Sequence, residues 1–463
     1  MGDWDYADLV RRQREHFRTG ATMALAARRT ALAQLRSALR KWESPILAAL
    51  RSDLGKSTID AYAGEIGVVL GEIDYAIRRL PRWTKPRKCP GPWAAWPSRA
   101  MVVRQPLGVA LILAPWNYPV QLLLNPLVGA IAGANCAVIK PSELAPRTAK
   151  VMRDMIAGTF AEEHICCVLG DKRAAEGLLR EKFDTIFFTG GAAVGRRVMA
   201  AAAEHLTPVT LELGGKCPCI VTERTRLEVA ARRIIWGKML NAGQTCVAPD
   251  FVYVQRPVRD AFLAACKRAI ESFYGADPRQ SPHYGRIVNQ AHFRRLLAYL
   301  PDGDTCTGGP PDEADLYIAP TILTGVPLSA PVMQEEIFGP ILPVLAFDSI
   351  EEVFSGLRNR PAPLAIYLFS TDRALQARVM RELPAGGVCV NDLLVQLFAK
   401  QLPFGGVGAS GMGAYHGRAG FECFTHAKSM LRCSTAFDPA YRYPPPRLSL
   451  DKFRRVLAFL LSR

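Results

Sequence analysis

The chain has 463 residues, 49% of them hydrophobic and 22% charged, which excludes a disordered chain and predicts two or three folded domains. Its net charge of +16 implies attraction to something acidic: an anionic cofactor, a membrane surface or a nucleic acid. The 12 cysteines are scattered, and Met1-Gly2-Asp3-Trp4-Asp5 is acidic where a secretory signal is basic; a disulfide framework is excluded and an intracellular, reducing compartment expected.

From Thr19 to about Arg51 the chain reads as helix, with Leu32, Leu35, Leu39 and Trp42 on one apolar face. Ser44-Pro45 has the form of an N-cap followed by proline at the first helical position. Residues 56–80 read as a further helix. Over 76–104 eight basic residues occur with no acidic one, and Trp83, Trp93 and Trp96 sit among prolines. Basic residues mixed with aromatics suit nucleic acid, but no recognition motif accompanies them, and a surface arm or hairpin is the plainer reading.

Residues 107–139 carry no charge. Such a length invites a membrane span, yet Pro115, Asn117, Pro119, Asn125, Pro126 and Asn135 interrupt it. Strand, polar loop, buried helix and second strand are predicted instead, because a parallel strand buried on both faces is apolar throughout. Cys136–Lys140, Ile165–Leu169 and Thr185–Thr189 continue as strands alternating with helices, the pattern of a parallel α/β sheet with ligands at the carboxyl ends of its strands. Lys140, Glu143 and Gly190 lie at such ends. Thr189-Gly190-Gly191 runs into a helix through Gly195, a turn that suits an anion but equally an ordinary strand–helix connection.

A second α/β region is expected over 209–418. Within it, Glu212 closes an apolar run and Cys246 lies in Asn241-Ala242-Gly243-Gln244-Thr245-Cys246-Val247-Ala248-Pro249. A soft nucleophile and a separate carboxylate suit covalent catalysis with a general base; the cysteine by itself is equally a small buried residue. A helix terminus and nearby donors are expected to favour its thiolate. Cys166-Cys167 and Cys217-Pro218-Cys219 lack a second pair at zinc spacing, so no metal site is expected. After Pro444-Pro445-Pro446 the chain ends in a basic segment, where Phe453, Val456, Leu457 and Leu460 share one helical face and Lys452, Arg454 and Arg455 lie off it, with Arg447 upstream and Arg463 at the end. Too short to span a bilayer, it reads as an amphipathic helix lying on an anionic surface.

Seven motifs in order, covering nearly the whole chain, resemble the aldehyde dehydrogenase superfamily: Pro115-Trp116-Asn117-Tyr118-Pro119, Lys140-Pro141-Ser142-Glu143, Phe188-Thr189-Gly190, Glu212-Leu213-Gly214-Gly215-Lys216, Gly243-Gln244-Thr245-Cys246, Glu336-Ile337-Phe338-Gly339-Pro340 and Pro403-Phe404-Gly405-Gly406-Val407-Gly408. Ala248-Pro249-Asp250 and Gly411 through Gly417 resemble class 3, the fatty and aromatic aldehyde branch, and Glu335 to Pro343 with the basic C-terminus is similar to its membrane-associated B-type members. The resemblance implies NAD(P)-dependent oxidation of an aldehyde to a carboxylic acid. It assigns Cys246 as nucleophile, Asn117 with the Cys246 N–H as oxyanion hole and Glu212 as the base that activates water. Lys140 and Glu336 match ribose contacts, Phe338 the wall beside the nicotinamide, and Gly190 and Gly195 the turn that admits cofactor. Glu143 stands where it could repel the phosphate of NADP. Tyr118, Trp236 and His416 match the substrate pocket.

The fold implied is α/β: a Rossmann-like NAD(P)-binding domain (1–78 and 105–209), a catalytic domain (210–418), an oligomerisation arm (79–104 and 419–440) forming a homodimer, and the basic tail (441–463) in peripheral contact with a membrane. Cys217, Gly191 and the stretch 396–400 depart from the commoner pattern, the last beside the substrate. The rival reading is a silent nucleotide-binding family member, or a protein whose basic surface binds a membrane or nucleic acid.

Overall fold

The computed structural model describes residues 5–92, 95–438, 443–445 and 449–461. Met1 to Trp4, Trp93, Pro446, Arg447 and Arg463 lie outside the described residues. The uncharged run folds as its composition demands. Strand Val109–Leu113, helix Gln121–Ala132 and strand Cys136–Lys140 follow one another, and both strands are buried along their whole length. Ala110, Ile112, Ala137 and Ile139 enter one apolar core, while Val109, Leu111, Leu113, Cys136 and Val138 enter the opposite one. Strict alternation into two cores leaves no face for a charge. No helix among the described residues is long and apolar enough to cross a membrane.

These two strands pair in parallel, flanked by Thr185–Thr189 and Ile165–Cys167. Val209–Glu212 extends the sheet beside Thr185–Thr189, and Gly411–Met412 closes it antiparallel. The boundary expected at 209/210 therefore falls inside a strand of the first sheet. Seven further strands build a second sheet in the order 304–307, 321–324, 341–347, 251–255, 218–221, 365–369, 387–390. All its pairs but the first are parallel. A third sheet joins Arg87–Cys89, Ser98–Pro106 and Thr425–Cys433, all antiparallel. The basic segment is thus a hairpin, and the strand Thr425–Cys433 that extends it is exposed from His426 onward.

Local readings needed three corrections. The helix expected over 19–51 is two, Leu25–Lys41 and Glu43–Leu54, hinged at Trp42, which closes the first and opens the second. Ser44 is consequently inside the second helix and caps nothing; helical continuity through Trp42 outweighs the Ser-Pro signal. The helix expected over 56–80 is broken: Thr58–Ala61 is α-helical, Tyr62–Gly67 forms a π turn, and Val68–Trp83 is α-helical again. Helix Tyr6–Arg18, capped by the Asp5 side chain on Asp8 N–H, was not anticipated; Leu9, Val10 and Gln13 are its only buried residues, a stripe too narrow to announce itself.

One side chain braces the junction where strand Ser98–Pro106 of the third sheet passes into strand Val109–Leu113 of the first. Asn135 is fully buried; its Oδ1 accepts from Leu107 and Gly108 N–H at 2.9 Å, and its Nδ2 donates to the carbonyls of Ala130 and Phe424. Asn135→Ala leaves these backbone groups unmatched and is expected to lower unfolding free energy by about 2–4 kcal/mol in a denaturant titration. A loss under about 0.5 kcal/mol would contradict this account of the junction.

Candidate active site

The loop carrying Cys246 is held by its own backbone geometry. Helix Leu227–Met239 ends, and Asn241, Ala242 and Gly243 all take positive φ. Only glycine fits at 243, where a Cβ would collide with the Gly339 carbonyl. Buried Gln244 locks the turn: Nε2 donates to Asn241 O and Arg286 O, both 2.9 Å, and Oε1 accepts from Val288 N–H at 3.0 Å. Beyond the cysteine, Tyr367 Oη donates to Val247 O at 2.6 Å, and Gln396 Nε2 donates to that hydroxyl at 3.3 Å. Gln396, a departure from the family pattern, thus supports the nucleophile loop.

Asn117 follows the strand Val109–Leu113. Its Nδ2 donates to Gln244 O at 3.0 Å, and its own carbonyl accepts from Asn241 Nδ2 at 3.0 Å. A carboxamide has two N–H donors, so one remains beyond this bond. Glu212, at the end of strand Val209–Glu212, is 1% exposed, and neither carboxylate oxygen has a hydrogen-bond partner. Burial pushes its carboxyl up to about 8, with the Cys246 thiol pulling down and the Glu336 charge adding.

Cys246 itself is partly buried. Burial pushes its thiol up, and the Glu212 and Glu336 carboxylates push it further. The lowering expected from a helix terminus and donors is opposed by burial and by these two acids. Cys217, buried, donates from Sγ to Cys246 O at 3.5 Å.

The residues matched to cofactor fall into two groups. At the end of strand Cys136–Lys140, Lys140 Nζ reaches Glu143 Oε2 at 3.1 Å and Pro141 O at 3.3 Å. Gly190 N–H donates to Glu212 O at 3.0 Å, and a Cβ there would meet the Phe188 ring at 2.6 Å; at Gly195 it would meet Leu213 at 2.9 Å. The second group sits across a cavity of about 610 Å³ whose wall includes Ala192, Gly214, Lys216 and Glu336. Burial pushes Glu336 up to about 8, with Asp250 adding to it. Phe338, at φ 49°, stands edge-on to Trp116 at 5.5 Å. Of the residues matched to cofactor only Glu336 lines that cavity; Lys140, Glu143, Gly190, Gly195 and Phe338 do not.

A separate apolar cavity of about 130 Å³ ends on Cys246 and brings together Tyr118, Trp236 and His416 with Phe404 and Tyr415. Tyr118 Oη pairs with Thr245 Oγ1 at 2.9 Å. His416, at φ 74°, stacks on Phe404 at 5.4 Å; burial pulls it down to about 4, so the ring is neutral. Leu397 and Phe398, from the divergent stretch, line the same wall. Lys56 also lines it, unanticipated, and a second unanticipated lysine, Lys238, is buried in the field of Asp250 and Glu336, its ammonium drawn down to about 8 by burial. Neither had a motif to mark it. Among the described residues no group of three or more His, Cys, Asp or Glu side chains could hold a metal ion.

The pattern of the aldehyde dehydrogenase family matches residues 2–430. The chain belongs to the aldehyde dehydrogenase family. It is 45% identical to 4,4'-diaponeurosporen-aldehyde dehydrogenase of Staphylococcus aureus over 96% of both chains. It is 44% identical to aldehyde dehydrogenase family 3 member A2 of Rattus norvegicus, over 98% of this chain and 95% of the relative. The solved substrate-bound state of Staphylococcus aureus AldH superposes with a TM-score of 0.94 at 44% identity, covering 98% of each chain. These relatives place it with class 3 aldehyde dehydrogenases, in an α/β fold of Rossmann-like and catalytic units.

For such an enzyme the raised Glu212 carboxyl has a signature. Below about 8 the group is mostly protonated and cannot accept a proton. Turnover limited by this base should climb through about pH 8 and level only above about pH 9, and Glu212→Gln should remove that limb. A wild-type profile flat across the same range would contradict the assignment.

Proposed function

We propose that this aldehyde dehydrogenase oxidises medium- or long-chain, or aromatic, lipid-derived aldehydes to carboxylic acids, using NAD or NADP. One observation carries the reading: an apolar cavity ends on Cys246, and an unpartnered carboxylate, Glu212, lies beside that thiol.

The residues suit a dinucleotide. In the cavity between Ala192 and Glu336 the Glu336 carboxylate is seated directly against Gly214, and at Gly191, where a Cβ would meet nothing within 4 Å, the start of helix Ala192–Ala203 is open. Lys140 and Glu143 offer an amine and a carboxylate to hydroxyl groups, as Glu336 does. When bound, the nicotinamide dinucleotide supplies the acceptor for hydride.

The chain's own groups do the rest. The Cys246 thiol gives up its proton to solvent, and the thiolate sulfur bonds to the aldehyde carbon. The resulting oxyanion rests on Asn117 Nδ2–H and the Cys246 N–H, donors of the kind worth about 3–4 kcal/mol each at a transition state. Collapse of the oxyanion expels hydride and leaves a thioester on Cys246. Glu212 then takes a proton from water, the hydroxide attacks the thioester carbon, and the acid departs as the thiol re-forms. Tyr118, Trp236 and His416 supply the cavity wall; a neutral His416 costs an apolar substrate no charge desolvation.

The same reading extends outward. The exposed edge strand Thr425–Cys433 leaves backbone groups open to pairing, which supports homodimerisation through the arm. Helix Leu450–Leu461 exposes Phe453 and Leu457, which supports peripheral contact with an anionic membrane inside the cell. The silent-member alternative has nothing in its favour where Cys246, Glu212 and Asn117 are all in place.

Cys246→Ala is expected to abolish aldehyde oxidation and leave cofactor affinity within about twofold, since the thiol makes the covalent bond and little else. A tenth of wild-type turnover, followed by reduced-cofactor absorbance, would contradict this. Truncation at Pro446 should end binding to anionic liposomes at physiological salt while keeping activity on short aldehydes. Equal liposome binding by both forms would remove the tail's role.

A further inference from the structure

Lys56 and Glu65 form an ion pair at 2.6 Å with both side chains almost wholly buried. Burial disfavours both charges. Replacing such a pair by apolar side chains is often neutral or stabilising, so stability alone gives little reason for it. Its other contacts supply a reason. Lys56 Nζ donates to Asn117 O at 2.8 Å and stands 3.9 Å over the Tyr118 ring. Glu65 Oε2 accepts from Val120 N–H at 3.0 Å and Gln121 N–H at 2.9 Å. Those two amides open helix Gln121–Ala132 and have no partner within it.

The loop from Asn117 to Gln121 is therefore gripped at both ends by one pair. Across it, Asn241 Nδ2 holds the same Asn117 carbonyl from the nucleophile side. Glu65 lies in the π turn Tyr62–Gly67; the extra residue of such a turn re-aims side chains and often marks a functional site.

We propose that Lys56 and Glu65 are positioning residues, which set the Asn117 amide relative to Cys246 and fix Tyr118 as a wall of the aldehyde cavity. The inference rests on Asn117 being the oxyanion donor. Neither residue touches the reacting atoms in this scheme. Each acts through the backbone of residues 117–121, which a displacement of about an ångström would misalign at a cost of about 100-fold in rate.

The test replaces the pair together, Lys56→Met with Glu65→Gln, so that no charge is left buried alone. It is made in the full chain, in wild-type and Asn117→Ala backgrounds. In the wild-type background kcat should fall about 10- to 100-fold, with KM for a short aldehyde, cofactor affinity and the alkylation rate of Cys246 each within about threefold. In the Asn117→Ala background the further loss should be under about twofold, because the brace has nothing left to aim. Wild-type kcat in the folded double variant would overturn the proposal, as would equal fold-losses in both backgrounds. If the double variant does not fold, Glu65→Asp keeps both charges and shortens the brace by one methylene; the same dependence on Asn117 is expected, and unchanged kcat overturns the proposal. Wild-type turnover by Asn117→Ala alone would instead overturn the reading of Asn117 itself, a result separable from the cycle.

Discussion

A carboxylate without a hydrogen-bond partner, enclosed beside a thiol, is the constraint around which the rest of the molecule is arranged. Burial keeps the Glu212 carboxyl raised, and the Glu336 charge adds to it. That state needs a rigid frame, because a mobile side chain would find a donor. The frame comes from the first sheet, where Glu212 ends a strand, and from the short antiparallel strand Gly411–Met412 paired against it.

The thiol is fixed by the opposite route. Its loop turns through three left-handed residues, Asn241 to Gly243, of which only the last is glycine. Such a conformation costs about 1–3 kcal/mol at each non-glycine position, and Gln244 offsets it with three hydrogen bonds to backbone groups of two segments. Strain on one side and an unsatisfied acid on the other are local rules broken together, as expected where function rather than stability selects the geometry.

Much of this was legible in the sequence, for reasons that can be named. The uncharged run 107–139 could be read as strand, helix and strand because its prolines and asparagines rule out a span and its strands alternate into two cores. The cavity residues Tyr118, Trp236 and His416 came from motifs resembling a family, and the structure brings them to one wall with Cys246. What stayed hidden has a common cause. Lys56 and Glu65 sit in a stretch whose periodicity says helix, and nothing in a hydrophobic pattern reports a π turn or a pair of buried charges. The acids beside Cys246 stayed hidden too, because Glu212 and Glu336 are distant in sequence and meet it only in the fold. At Trp42 the error was local: a residue that ends one helix and opens the next leaves no polar cap to read.

The central claim is that Glu212 resolves a thioester carried by Cys246. Intact-mass measurement of Glu212→Gln, after mixing with oxidised cofactor and a long-chain aldehyde, tests it most directly. The account predicts one acyl group per chain, located on Cys246, that persists while the wild-type enzyme shows none at steady state. Unmodified Cys246 in the folded variant, or an acyl group that clears as fast as in the wild type, would contradict it.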